Sequence, residues 1–227
     1  MTNPIKLSFK TEWFAVLLII LAFITGVFYY QNFPAQVPTH WNLQGEVNGY
    51  SGVFSASFML PIMMLGIYLL FLLLPYLDPK KEQYIAFAGI YHKFKDLILV
   101  FLFIMYIMTG LNGLGYKVDV AFYVPILVGV LFALIGLLLK NVKTNWFMGI
   151  RTPWTLSSEA VWEKTHKLAG PVFVVAGVLM AATAFVSANL KIALFVLAIA
   201  VIVLTLPIYS YMLYTQEKKE RERIEHK

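Results

Sequence analysis

Six long stretches of the chain are apolar and carry no charged side chain, which is the pattern of membrane-spanning helices. A membrane helix needs about 20 mostly apolar residues, because the hydrocarbon core of a bilayer is about 30 Å thick. Helices are the open-ended structure that satisfies every backbone group in lipid. The pattern therefore predicts an all-α integral membrane protein with six spans, at residues 13–30, 54–77, 97–116, 120–139, 168–190 and 192–216.

Composition supports this interpretation. Hydrophobic residues make up 60% of the 227 and charged residues only 13%, whereas soluble domains carry about 25% charged residues. Such a chain cannot cover itself with polar surface in water, so the lipid bilayer is its first expected partner. Cysteine is absent, which excludes disulfide-rich scaffolds and cysteine-ligated zinc sites.

The basic residues predict the orientation of the spans. Of the 18 Lys and Arg residues, 16 fall in the two termini and the even-numbered loops, and only Lys117 and Lys191 fall in the odd-numbered loops. By the positive-inside rule both termini are cytoplasmic. The net charge of +6 is then explained by topology, without a direct nucleic-acid partner. The apolar core of the first span is longer than that of a usual cleaved signal peptide, so we expect this span to be a membrane helix.

The spans divide the chain into two regions. Residues 1–96 hold the first two helices, an outer loop at 31–53 and a cytoplasmic loop at 78–96. Residues 97–227 hold four helices, a cytoplasmic loop at 140–170 with a short interfacial helix, and a charged tail. No Asp, Glu, Lys, Arg or His lies within the apolar core of a predicted span. This disfavours a pump or an ion-coupled carrier, which needs such residues in the membrane.

The outer loop has the composition of a compact folded segment. Pro34 and Pro38 favour extended chain, and Asn42 and Gly45 are turn formers. For His40 we expect a hydrogen bond to loop backbone; the alternative is a ligand or pH-sensing role. The other two histidines that precede the C-terminal tail are expected on the opposite side of the membrane, so no metal site is predicted.

The cytoplasmic loop between spans four and five carries a polar stripe. Ser157 is a candidate N-cap, and in the helix that follows Glu159, Glu163 and His166 fall on one side. Such a stripe is usually the wet face of an interfacial helix. The alternative is half of a carboxylate-bridged metal site, and no second copy is present. Arg151 could pair with Glu159 or Glu163 to lock the loop.

Two motifs resemble a known family in order and spacing. The inner loop resembles the signature of the SdpI family of bacterial immunity proteins, and the outer loop resembles the DUF1648 region that precedes it in many members. The matching inner residues are Asn145, Trp146, Gly149, Ile150, Arg151, Thr152, Pro153, Trp154, Thr155 and Leu156, followed by Trp162 and His166; the outer ones are Pro34, Pro38, His40, Trp41, Asn42 and Gly45.

The resemblance implies a non-enzymatic protein of the bacterial plasma membrane that protects its producer from a secreted, membrane-active toxin peptide. It also implies that the protein can hold a cytosolic transcriptional repressor at the membrane. The outer motif residues are then the expected toxin-facing surface, and the inner motif residues the cytoplasmic element. No cofactor is implied. The alternative function is a membrane-embedded enzyme or transporter that uses the stripe of Glu159, Glu163 and His166.

Overall fold

In the part of the chain that the structure describes, six helices are long and apolar enough to cross a membrane, as predicted. A computed structural model describes residues 4–5, 7–42 and 44–226; Lys6 and Lys227, counted in the charge bias, and Leu43 of the outer loop lie outside them. The long helices are α1 (Phe9–Asn32), α2 (Val53–Leu77), α3 (Tyr84–Gly113), α4 (Val120–Leu139), α6 (Glu159–Ala182) and α7 (Ala188–Glu225); α5 (Pro153–Ser157) is short.

Several helices extend beyond the charge-free stretches. α3 begins at Tyr84 after a 3-10 turn at Lys81–Gln83, so most of the predicted loop at 78–96 is helix. α6 begins at Glu159, so the predicted interfacial helix is reduced to α5, and α7 continues to Glu225. The physical reason is that charges mark the edge of the hydrocarbon layer, whereas a helix continues into the interface.

The outer loop forms a β-hairpin that the all-α prediction missed. Strand β1 (Gln36–Trp41) pairs antiparallel with β2 (Val47–Gly52). Asn42 closes the turn, because its Oδ1 accepts the backbone N–H groups of Gln44 (3.0 Å) and Glu46 (2.9 Å). Gly45 has a φ of 84°, which glycine adopts without strain.

The helices pack in two groups. α1, α2 and α3 contact one another, and α6 packs between α4 and α7. Glycines bring α4 and α6 into close contact, because a Cβ built on Gly136 would lie 2.6 Å from the carbonyl oxygen of Gly170. Such small residues let membrane helices approach closely.

Of the five prolines inside the long helices, three each leave a backbone carbonyl whose missing helical donor is replaced by a side chain. They are Pro61 and Pro75 in α2 and Pro125 in α4. In each case a side chain of another helix donates to the carbonyl four residues earlier, as lipid requires. The pairs are Tyr106 Oη to Ser57 O (2.7 Å), Tyr91 Oη to Phe71 O (2.6 Å) and Lys191 Nζ to Ala121 O (3.0 Å).

The two helix groups meet at the inner face in a buried aromatic cluster. Tyr84 and Tyr91 of α3 and Phe71 of α2 share it with Met148 and Trp162 from the other side. The rings of Tyr84 and Tyr91 lie 5.3 Å apart in an edge-on arrangement. This cluster fixes the 140–170 loop against the first three helices.

Ionisable side chains lie buried between α1 and α3, next to the predicted spans. Glu12 pairs with Lys95, whose side chain is 1% exposed. His92 Nδ1 lies 3.3 Å from the other oxygen of Glu12, and the ring of Tyr68 in α2 lies 5.3 Å from the Lys95 ammonium. The membrane helices therefore contain ionisable side chains that the predicted spans did not include. The first span was predicted to begin at Trp13 and the third at Leu97.

Candidate functional site

The hairpin presents its motif residues at one end of the bundle. His40 Nδ1 lies 2.5 Å from Asn48 Oδ1, so the histidine is held by a side chain of β2 and not by loop backbone as predicted. Asn42 Nδ2 donates to Glu46 (2.8 Å). Pro34 is exposed between α1 and β1, and Pro38 is half-buried in β1.

A pocket of about 540 Å³ lies between the hairpin and the ends of α4 and α7. His40, Trp41 and Asn42 line it on the hairpin side, and Ala121 and Lys191 line it on the helix side. Gly45 closes one edge: a Cβ built there would lie 2.9 Å from the Cβ of Ala121. Three of the six predicted outer residues thus line a concave site, whereas Pro34 and Pro38 do not.

The inner motif begins with a buried hydrogen-bonding side chain. Asn145 is fully buried. Its Oδ1 accepts the N–H groups of Phe147 (2.9 Å) and Met148 (2.6 Å), and its Nδ2 donates to the carbonyls of Lys143 and Met148 (both 2.9 Å). Asn145 therefore shapes this turn from within.

His166 is buried beneath the same turn. Its Nε2 accepts the N–H of Ile150 (3.0 Å), and its Nδ1 lies 2.9 Å from the carbonyl of Trp162. The rings of Trp162 and His166 are stacked, with centroids 4.0 Å apart, and Trp162 Nε1 donates to Val142 O (2.8 Å). Gly149 has a φ of 112°, and a Cβ there would overlap His166 Nε2.

Two threonines build α5. Thr152 caps it by accepting the N–H of Thr155 (3.2 Å), with Pro153 in the first turn. The Thr155 hydroxyl donates to Ile150 O (2.8 Å), and the Thr152 hydroxyl reaches Ser210 of α7 (3.0 Å). Ring contact between Trp154 and Tyr211, with centroids 5.1 Å apart, also joins this helix to α7.

Arg151 does not pair with Glu159 or Glu163 as predicted. Its Nη1 donates to Trp146 O (2.6 Å), and the Trp146 N–H donates to the buried Asp78 (2.8 Å). The indole of Trp146 is 47% exposed. Both the backbone N–H and the backbone carbonyl of this tryptophan are therefore hydrogen-bonded, while its side chain is exposed.

The stripe of Glu159, Glu163 and His166 is not a common site. Glu159 and Glu163 are exposed and His166 is buried, and Glu163 pairs with Lys143 at 2.8 Å. The helix N-cap is Ser158, not Ser157, and accepts from Val161 N (3.3 Å). Among the described residues, no group of three His, Cys, Asp or Glu side chains is placed to hold a metal ion.

Sequence reasoning missed Asp78, which joins the first helix group to the inner motif. Besides the Trp146 N–H it accepts Tyr84 Oη (2.9 Å) and Lys80 N (2.7 Å). The available signal was a carboxylate followed directly by Pro79 at the end of an apolar stretch. An acid that ends a membrane helix has to be hydrated or paired, and Asp78 is 2% exposed.

Comparison with known proteins agrees with these two motifs. Residues 141–210 match the model of the SdpI/YfhL protein family, and residues 17–65 match DUF1648, a domain of unknown function. The Immunity protein SdpI of Bacillus subtilis (strain 168) is 28% identical over 204 residues, which cover 89% of this chain and 96% of that protein. No solved structure matches the chain significantly. This multi-pass membrane protein thus carries a segment that matches the SdpI/YfhL family, preceded by a segment that matches DUF1648.

Proposed function

We propose that the protein is a membrane immunity protein that protects a bacterium from a secreted, membrane-active toxin peptide bound at the outer hairpin. The supporting observation is the pocket between the hairpin and the ends of α4 and α7, which is lined by His40, Trp41 and Asn42. The relative that spans nearly the whole chain is an immunity protein, and the hairpin lies within the DUF1648 match.

Trp41 is the residue through which to test this site. An aromatic side chain in a pocket commonly supplies a large part of a binding energy. We expect Trp41→Ala to lower the toxin dose that expressing cells survive by about tenfold, which corresponds to roughly 1.4 kcal/mol. The measurement is survival of a sensitive strain challenged with the cognate toxin, at matched amounts of protein in the membrane.

Tyr50→Ala is the matched control, because Tyr50 is 58% exposed on the same hairpin and does not line the pocket. It should leave survival unchanged. Equal losses in the two variants would place toxin binding outside the pocket. Absence of protection by the unchanged protein, with membrane expression established, would overturn the immunity function.

A second function follows from the inner motif: it holds a cytosolic transcriptional repressor at the membrane. The observation in favour is Trp146, whose ring is 47% exposed although Asp78 and Arg151 hold its backbone. A rigid aromatic side chain is a good anchor for a protein partner, because little conformational entropy is lost on binding.

Co-purification tests this second function. After toxin exposure, Trp146→Ala should reduce the amount of repressor recovered with the membrane protein several-fold, while survival remains at the level of the unchanged protein. Lys219→Ala in the exposed tail is the control and should change neither. A repressor that is recovered equally with the Trp146 variant would contradict the role of this surface.

A further inference from the structure

The pocket under the hairpin is the upper end of a longer groove on the lipid-facing side. Below it lies a cavity of about 330 Å³, which shares Val124, Pro125 and Lys191 with the pocket. A third cavity of about 440 Å³ shares Phe195 and Val196 with the second and continues to Leu204 of α7. The three cavities therefore follow one another along α7.

The groove has the length of one leaflet. From Lys191 to Leu204 the helix rises about 20 Å at roughly 1.5 Å per residue. One leaflet with its headgroups is half of a bilayer about 40–45 Å thick. A single lipid from the outer leaflet would therefore fill the groove from its polar mouth to its apolar end.

The charge at the mouth of the groove fits a phosphate. Lys191 uses one N–H to donate to Ala121 O, which leaves two donors on its ammonium. The acids of the two odd-numbered loops on this side form hydrogen bonds elsewhere: Glu46 accepts from Asn42, and Asp119 accepts the N–H of Phe122. Within the described residues, Lys191 has no carboxylate in salt-bridge range, so its charge is free for an anion.

The lower groove fits an acyl chain better than an extended peptide. It is lined almost wholly by apolar side chains, and the hydroxyl of Thr183 already donates to Met180 O (2.7 Å). An extended peptide would leave backbone N–H and C=O groups unpaired there, which is unfavourable in an apolar environment. A hydrocarbon chain has no such groups.

We propose that this groove binds one anionic phospholipid of the outer leaflet, with its phosphate on Lys191 and an acyl chain along α7. The half-buried Trp41 lies beside the headgroup, where indole rings are favoured. The proposal does not depend on the immunity function, because it needs no toxin; a toxin bound in the outer pocket would meet the lipid headgroup at the mouth of the groove.

Native mass spectrometry of the detergent-solubilised full chain tests this binding, by titration with phosphatidylglycerol or phosphatidylcholine. We expect one phosphatidylglycerol bound in preference to phosphatidylcholine. Lys191→Gln keeps a donor for Ala121 O but removes the charge, and should weaken phosphatidylglycerol binding about fivefold. Lys117→Gln, on the same face but away from the groove, should have no effect.

A second pair of variants tests the apolar part. Val196→Trp places a large ring where two cavities meet and should abolish binding of the single phosphatidylglycerol. Leu197→Trp is the control, because Leu197 is 49% exposed on α7 and does not line the groove. Unchanged thermal unfolding of each variant will establish that it is folded.

Any one of four results would overturn the proposal. Equal affinity for the two lipids would remove the role of the charge. Binding that survives Val196→Trp, or that glycerol phosphate alone reproduces, would remove the acyl-chain site. A secreted apolar peptide that binds only when Val196 is present, with phosphatidylglycerol binding unchanged by Val196→Trp, would assign the groove to a peptide.

Discussion

His166 lies in the inner motif, and its hydrogen bonds indicate its role there. Its spacing from Glu163 resembled a metal half-site, but its Nε2 accepts the N–H of Ile150. A histidine that accepts through Nε2 and is bonded to a carbonyl through Nδ1 is neutral, with the proton on Nδ1. Its role is therefore to close the inner turn.

Gly149→Ala tests that turn. At a φ of 112° a non-glycine residue costs of order 1–3 kcal/mol, and the new Cβ would also displace His166. We expect the thermal midpoint of the purified protein to fall by roughly 2–10 °C. Gly52→Ala is the control, because Gly52 has no atom within 4 Å of a built Cβ; equal shifts would contradict this account.

The sequence allowed the motif residues to be recognised, but not their partners. Local patterns set the neighbours of Thr152 and Thr155, which lie three residues apart. Trp146 and Asp78 lie 68 positions apart, and Lys95 and Glu12 lie 83 apart. Contacts of this kind depend on how the helices pack, and no periodicity along a single chain encodes them.

At the scale of whole elements, hydropathy predicted the helices but not their ends. All six apolar stretches are helical, because lipid leaves the backbone few alternatives. The hairpin escaped prediction because only Val37 of its twelve strand residues is buried. A short strand without an alternating apolar face gives no period-two signal.

The hydrogen bond from Tyr106 to the carbonyl oxygen of Ser57 leads to a prediction about α2. Tyr106→Phe removes the hydroxyl that donates to Ser57 O and leaves a buried carbonyl unpaired, which costs about 1–3 kcal/mol. Pro61→Ala restores the N–H that can bond the same carbonyl. We therefore expect the double variant to lose less stability in thermal unfolding than Tyr106→Phe alone; purely additive losses would contradict the assignment.

The ion pair between α1 and α3 gives a second prediction at this scale. Lys95→Met leaves Glu12 buried without its cation, and breaking a buried pair in this way costs about 3–5 kcal/mol. Glu12→Gln added to Lys95→Met removes the uncompensated charge. The double variant should unfold at a higher temperature than Lys95→Met; the reverse order would show that Glu12 is hydrated in the native state.

The whole molecule has one polar site on each face of the predicted membrane. The outer pocket is built from the hairpin, α4 and α7, and the inner motif is joined to the first three helices by Asp78 and the aromatic cluster. The outer pocket therefore joins the hairpin of the N-terminal region to two helices of the second group, and the inner motif contacts the first group, so neither site is complete in half of the chain.

Orientation can be measured directly, because the chain has no cysteine. A cysteine at exposed Tyr50 of the hairpin should react with a membrane-impermeant maleimide in intact cells. One at exposed Lys219 should react only after the membrane is permeabilised, because 16 of the 18 basic residues favour that side. Labelling of Lys219→Cys in intact cells would reverse the predicted topology.

The last helix is longer than a bilayer requires. α7 has 38 residues, or about 57 Å at 1.5 Å per residue, against about 40–45 Å for a bilayer with headgroups. Ser158 donates to Glu217 (2.6 Å), which clamps the helix where it leaves the bundle. The turns beyond Glu217 therefore continue α7 with the rotational phase that this hydrogen bond fixes. Each residue inserted beyond Glu217 would turn whatever is attached near residue 225 by about 100° around the helix axis.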